Sequence, residues 1–555
     1  PRSALSDAAK VYGLAPDQVR ELAETLPYRF FSSRDSEEED QPPESPFAGL
    51  AAAHPSPLYQ RIFRDAEAML RLPRHLSAHP GGVVVAPGPL TDLVPLQRSG
   101  PRGVTITQLD LDAVAAMGLV KLDLLGIRGL TVLGDVAEAI YSWRRKEFRT
   151  PLDVLDAVPG DDPETADRVE QGRTIGCFQI ESPGMRATLR EIRARSADDL
   201  MVALALYRPG PIKGGLKDAF VRRFKGEEAI THLHPALAPL LDETCGVILY
   251  QEQVLRIARD LAGLSLAEGD LLRRAMSHFD PGRQMQLLRE KFIRGAQESH
   301  GVDPDLGGRI WEMMAAFAGY GFPKAHAASY AVVSWNAAWC KTHFPAEFMA
   351  AVLANWGGYY SQRVYLTEAR RMGLSVRPPH INRSQPEFSV SYPQGQPLLS
   401  MGLDQVRDLT RRSQERILRG RPFTSLADFL ARVDPSVQEA ENLIRCGALD
   451  GLGTIPALLA QLRQGPWQLG QLSLFGWEAG EEEDWSPAER VAAQEELLGI
   501  SVDVHPIELY AQQAAAAHAL NTGEAAARTG ERVSVAGMRQ AWRRSRAEKG
   551  GMMAF

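Results

Sequence analysis

Lys121 and Asp123 stand two residues apart in the segment GLVKLDLLG. In an extended strand side chains alternate between faces, so Leu119, Lys121 and Asp123 share one face and Val120, Leu122 and Leu124 the other. A carboxylate on a rigid strand suits Mg²⁺, which takes oxygen ligands in near-octahedral geometry. A neighbouring lysine suits a phosphate, as a point charge. The competing reading is a plain ion pair on an edge strand. Just upstream, Asp110 and Asp112 in QLDLD form a second carboxylate pair. On a strand both would share a face, a spacing that two-metal sites use. The reading adopted is that they instead cap the helix starting in DAVAAMG.

Three basic clusters could meet a polyphosphate. YRPGPIKGGLKDAFVRRFKG carries Arg208, Lys213, Lys217, Arg222, Arg223 and Lys225, and Pro and Gly in its first part bring backbone amides within reach of an anion. Arg273 and Arg274 are adjacent in an otherwise apolar helix; they point about 100° apart, so both reach one anion only if that helix lines a cleft. GYGFPKAHAAS places Lys324 and His326 in a Gly-containing loop before a helix, whose N-terminus is a natural anion site. Each cluster alone reads as a solvated face; three of them flanking one carboxylate strand are less easily dismissed. In addition, QLSLF (Gln471, Leu472, Ser473, Leu474, Phe475) lies in a linker, where a Gln followed by apolar anchors can dock in a partner's groove or pack on its own domain.

The elements that must position these groups follow from periodicity. Residues 1–70 read as helices broken by the acidic loop SRDSEEEDQPPESP, and residues 80–125 as a small sheet built from GGVVVAP, VTITQLDLD and GLVKLDLLG. From about 130 to 380 the pattern is mainly helical, with a capping box in SLAE and a helix ASYAVVSWNAAWCKTHF that carries Trp335 and Trp339 on one face and ends before Pro345. Residues 385–405 hold two short strands, 406–463 are helical, 464–487 are loop and linker, and 488–528 are helical and alanine-rich. ERVSVAGMRQAW alternates like the first strand of a sheet. With Pro at position 1 and an apolar run at 555, the chain is expected to be a fragment cut at both ends.

Composition sets the class. The chain has 555 residues, enough for about three to five domains. Hydrophobic residues at 44% and charged residues at 24% are ordinary for a soluble globular protein. The start is no signal peptide and no apolar run reaches the roughly 18 residues of a membrane span, so a cytoplasmic location is expected. Cys177, Cys245, Cys340 and Cys446 are scattered and form no CxxC pair, so neither a zinc ribbon nor a disulfide framework is signalled. The net charge of −7 is concentrated in two acidic segments, 33–46 and 478–487, and leaves basic clusters in a nearly neutral remainder.

HPGGVVVAPGPLTDLVPL, GLVKLDLLGIRGLT, GCFQIES, ALYRPGPI, GVILYQEQV, LLRRAM and GYGFPKAHAASYAVVS, then ILRGRPFTSLADFLARV, LIRCGALDGLG and LGISVDVHPIELY, run through nearly the whole chain. In that order they resemble the bacterial DNA polymerase III alpha subunits, the family C polymerases. The resemblance implies a multidomain, mostly helical α+β chain: part of a palm with a small sheet (1–129), fingers (130–380), a helix-hairpin-helix-like clamp-binding region (381–463), a linker with a clamp-binding peptide (464–487), a helical connector (488–530) and the start of an OB fold (531–555). It implies primer extension by two-Mg²⁺ nucleotidyl transfer. Asp123 would be the third catalytic aspartate and a metal ligand, and Lys121 its phosphate-contacting neighbour. The first two aspartates sit upstream in a strand that residues 1–79 do not match, so this chain would lack them, together with the N-terminal phosphoesterase-like (PHP) domain and the first part of the palm, and be inactive alone. Arg208, Arg273, Arg274, Lys324 and His326 would line the channel for dNTP and template. Gln471 to Phe475 would bind the sliding clamp, and the implied partners are primer–template DNA, dNTPs, that clamp and other replisome subunits. One departure stands out: the Gly-x-Gly hairpin turn of the family is replaced by VRDLT. Two other classes compete: a non-catalytic DNA- and clamp-binding protein of polymerase-like fold, and a nuclease using Asp110, Asp112 and Asp123.

Overall fold

The computed structural model describes residues 1–26, 45–70, 72, 76–99, 103–207, 216–277, 283–318, 322–463, 483–528, 530–537, 544–546 and 552–554. They fall into two units, Pro1–Gly126 and Ile127–Phe555.

In the first unit, helices Arg2–Val11, Pro16–Thr25, Ala48–Ala53 and Pro57–Ala68 enclose a small core of Leu5, Ala9, Leu22, Phe47, Ile62 and Phe63. Leu5, Ala8 and Ala9 fall three and four residues apart, which stacks them on one helix face. The β region is two separate antiparallel ribbons rather than one sheet. β1 (Gly82–Val85) pairs with β4 (Val120–Asp123), and β2 (Leu96–Arg98) with β3 (Thr105–Thr107). β3 stops before QLDLD. The Asp110 carboxylate accepts the Ala113 amide at 2.9 Å and caps helix Leu111–Ala116, with Asp112 in its first turn. The capping assignment holds, and the D-x-D strand is excluded, because a helix start leaves amides that a carboxylate satisfies locally.

The alternation expected on β4 is present, and its apolar face is open to solvent. Val83 faces Leu122 and Val85 faces Val120, and these four remain 45–56% exposed. A two-stranded ribbon has no second layer of its own to cover them.

The second unit is helical with two cores. The larger is fed from Val132 to Val502 and includes Ile140, Leu200, Trp335, Phe348, Tyr365, Phe429 and Leu443. The smaller is built by residues 237–317 around Ile257, Phe292, Trp311 and Met314. Helix Lys324–His343 runs along helix Ala197–Leu206, with Ala327, Ala331, Ala337 and Ala338 buried. Trp335 is buried and donates its indole N–H to the Pro159 carbonyl at 2.8 Å; Trp339 is half-buried, and Pro345 opens the next helix. The SLAE capping box forms: Ser265 N–H and hydroxyl donate to Glu268 Oε2 at 2.9 and 2.8 Å.

Among the described residues, the Lys341–Glu368 ion pair lies inside the core. Lys341 is 0% exposed and donates to Glu368 Oε1 at 2.7 Å and to the carbonyls of Ile175 (2.7 Å) and Arg173 (3.1 Å). It fastens the chain just before GCFQIES to the core. All four cysteines are free and buried, and burial pushes Cys177 and Cys446 up to about 12.

Further along, β5 (Ser375–Arg377) runs parallel to β7 (Leu398–Ser400), and β6 (Ser389–Ser391) antiparallel to it. The two later strands were expected; β5 was not, because it falls in the stretch to residue 380 that reads as mainly helical. In VRDLT, Asp408 takes φ +61, so an aspartate occupies the left-handed conformation where a glycine was expected. A Gly-x-Gly segment does join two helices elsewhere, at Gly451 and Gly453 between Val437–Arg445 and Ile455–Arg463. The alanine-rich stretch is less helical than its composition suggests. Only Pro487–Leu498 is long, because Gly499 ends it in a left-handed conformation and Pro506 follows. Beyond residue 530, Val535 bridges to Leu520, and β8 (Arg544–Arg546) pairs with β9 (Met552–Ala554). Among the described residues, no helix is long and apolar enough to cross a membrane.

Candidate functional site

Asp123 ends β4 opposite Gly82, with its carboxylate 57% exposed. Lys121 Nζ lies 3.4 Å from Asp123 Oδ2, and His79 Nδ1 lies 3.7 Å from Oδ1. That imidazole nitrogen accepts the Gly81 amide at 3.1 Å, so it does not donate to the carboxylate. Gly82 is what lets these groups converge: a Cβ there would stand 2.9 Å from both His79 Nδ1 and Lys121 Cε. His79 was not singled out from the sequence, although HPGG immediately precedes β1. Among the described residues no three acidic, His or Cys side chains gather round a common point. One carboxylate bordered by an ammonium does not hold a divalent ion, so these residues do not form a complete two-metal site.

In the second unit, an open cleft of about 790 Å³ is lined by Arg128, Phe178, Tyr207, His326, Tyr330 and Tyr359, among others. Its wall is aromatic. The His326 ring lies 4.1 Å from Tyr330 and 5.2 Å from Phe322, and Phe178 meets Tyr330 edge-on at 5.1 Å. A wall of edge-on and tilted aromatic rings with an arginine beside it suits a planar, charged ligand.

Two loops that form this cleft are fastened by one buried carboxylate. Glu181 accepts the amides of Gly176 (2.9 Å) and Tyr359 (2.7 Å) and the hydroxyl of Tyr365 (2.9 Å). The Tyr365 oxygen in turn accepts the Gly358 amide at 2.8 Å. Burial pushes the Tyr365 phenol far up, with Glu181 beside it, so it stays a neutral donor. Gly358 is required for this approach, since a Cβ would come 2.3 Å from Glu181 Oε1. Arg128 closes the same loop through the Gly357 carbonyl at 3.2 Å. None of these was identified from sequence; 184 positions separate Glu181 from Tyr365.

Lys324 and His326 are not in a loop: they form the first turn of helix Lys324–His343. Two helical positions differ by about 200°, so the pair diverges. His326 lines the aromatic cleft, whereas Lys324 lines a second one with Asp198, Asp242, Glu243 and Tyr250. The helix start is also occupied. Both Glu252 oxygens accept the Lys324 amide, at 2.8 and 2.9 Å, and Glu243 Oε2 takes the Lys324 ammonium at 2.8 Å. This arrangement arises because Tyr250 bridges in parallel to Phe322, setting the next helix, Gln251–Asp260, against the start of this one.

Among the other basic residues, Lys217 pairs with Glu191, and Arg222 and Arg223 both pair with Glu228, so these three stabilise the fold locally. Arg273 and Arg274 lie on helix Leu266–Ser277, but their side chains are outside the described residues. Arg208, Lys213 and Gln471 to Phe475 are likewise outside them.

Comparison with known families places these features. Residues 1–126 match the bacterial DNA polymerase III alpha NTPase domain, residues 129–300 the bacterial DNA polymerase III alpha subunit finger domain, and residues 373–456 a helix-hairpin-helix motif. The chain belongs to the bacterial DNA polymerase III alpha-subunit family. It is 39% identical over 92% of its length to a DNA polymerase III subunit alpha of Thermus aquaticus, covering 42% of that protein. It is 34% identical over 91% of its length to the Deinococcus radiodurans protein of the same name, covering 40% of it. An error-prone DNA polymerase of Corynebacterium efficiens is 39% identical over 72% of the chain, with 36% of that protein covered. The chain thus spans about two fifths of the length of these curated relatives.

Proposed function

We propose that this chain is part of a DNA-directed DNA polymerase that extends a primer on a template strand. The observation that carries the reading is the Asp123–Lys121 display on β4, inside the segment that matches the polymerase III alpha domain. Asp123 would supply one carboxylate of a divalent-ion site, with the remaining carboxylates outside the described residues. Lys121 would place one positive charge against the triphosphate, whose negative charge grows as the chain is extended. In the finger domain, the aromatic cleft with His326, Tyr330 and Arg128 would meet the nucleotide, Arg208, Arg273 and Arg274 would complete the basic channel, and Lys324 would meet its phosphates. Gln471 to Phe475 would tether the enzyme to a sliding clamp and raise its effective concentration at the primer end.

The direct test is binding of a fluorescently labelled primed template to this chain, followed by anisotropy across a salt series. Binding is expected to weaken steeply with salt, because each phosphate contact releases counterions. Absence of any binding at low salt would remove the nucleic-acid reading.

A further inference from the structure

Helix Lys324–His343 has its first basic side chain turned away from the aromatic cleft and paired with an acid. The Lys324 ammonium lies 2.8 Å from Glu243 and 5.5 Å from the centre of the Tyr250 ring, in a cleft that Asp198 and Asp242 also line. Asp242 is itself paired with His232 at 2.8 Å, so Glu243 is the acid that holds Lys324 directly. Lys324 and Glu243 are 38% and 44% exposed. A pair that open to water is weak, so a polyphosphate of several charges can compete for the lysine.

We propose that Glu243 is a positioning residue that stores Lys324 in this acidic cleft, and that Lys324 must leave Glu243 before it can contact a polyphosphate. This rests on the reading that Lys324 meets the phosphates of the incoming nucleotide. Glu243 then lowers polyphosphate affinity and makes capture of the lysine conditional on a ligand charged enough to outbid one carboxylate. Glu252 has a different part. It accepts the backbone amide and stays with the helix whether or not the side chain moves.

The probe is inorganic tripolyphosphate, titrated calorimetrically into the full chain at about 0.15 M salt, where charges beyond roughly 8 Å are screened. Glu243→Gln is expected to tighten binding about two- to fivefold, the worth of an exposed ion pair. Glu243→Asp should restore the wild-type value. In a Lys324→Gln background, where binding is already weaker, Glu243→Gln should change nothing. A purely structural role for Glu243 would weaken binding or leave it alone, so a gain that depends on Lys324 is diagnostic. Unchanged or weaker binding in Glu243→Gln, with Lys324→Gln still harmful, overturns the storage role and leaves the phosphate reading standing. If Lys324→Gln has no effect, or no variant binds the probe, Lys324 is not a phosphate contact and both fall.

Discussion

Asp123→Asn, made in a polymerase that carries these residues and its full set of catalytic carboxylates, is expected to abolish primer extension while leaving primed-template binding within about twofold. Asparagine keeps the size of the side chain and removes its charge. Partners that merely orient metal ligands already cost about 10–100-fold when mutated, so loss of a ligand should exceed about a hundredfold. The template should be spared because backbone phosphates are met by many basic groups, of which Asp123 is none. Lys121 separates this from a structural account: Lys121 Nζ touches the same carboxylate, so Asp123→Asn frees the lysine without disturbing the β1–β4 register, whose backbone pairs do not involve the side chain. Near-normal extension by the variant would show that Asp123 is only half of an exposed ion pair.

The second large effect concerns stability. Lys341→Met should destabilise the chain by about 3–5 kcal/mol, because Glu368, 5% exposed, loses its buried partner and keeps only the solvent-exposed Arg371 at 3.3 Å. The carbonyls of Arg173 and Ile175 lose their donor in the same step. Pairing the change with Glu368→Leu should recover most of the loss, since two apolar groups of similar volume can replace a buried ion pair at little cost. Urea unfolding of the two variants measures both. If Lys341→Met costs under about 1 kcal/mol, the range of an exposed pair, then water reaches this site and the buried description is wrong.

Elements with strong local signals were legible in the sequence. Asp110 is followed at a helix start by an unpaired amide, and Ser265 precedes Glu268 by three positions; in both places the residue types alone set the geometry. The alternation of Lys121 and Asp123 is likewise a local property of an extended chain. What lay beyond reach depends on long-range contacts. Glu181 holds the Tyr359 amide and the Tyr365 hydroxyl, 178 and 184 positions away, and nothing in GCFQIES marks its glutamate as buried. Glu243 and Glu252 reach Lys324 across 81 and 72 positions. Their carboxylates sit where the sequence alone suggested an open anion site, and the sequence gives no cue that two acids arrive there.

The opposed directions of Lys324 and His326 have a simpler cause. Reading GYGFPKAH as a loop assigned the helix start too late; once Pro323 is seen to cap it, two positions on a helix must diverge. Asp408 shows a related point, since a left-handed residue marks a turn as surely as a glycine does but is invisible in its residue type.

The central claim, that Asp123 belongs to a polymerase site which the described residues only partly supply, is tested most directly by primer extension with this chain as it stands, given Mg²⁺, four dNTPs and a primed template after a melt shows it is folded. The account predicts template binding without extension. Extension would contradict it, because a site with one carboxylate among the described residues would then be complete, and the other metal ligands would have to lie within these 555 residues.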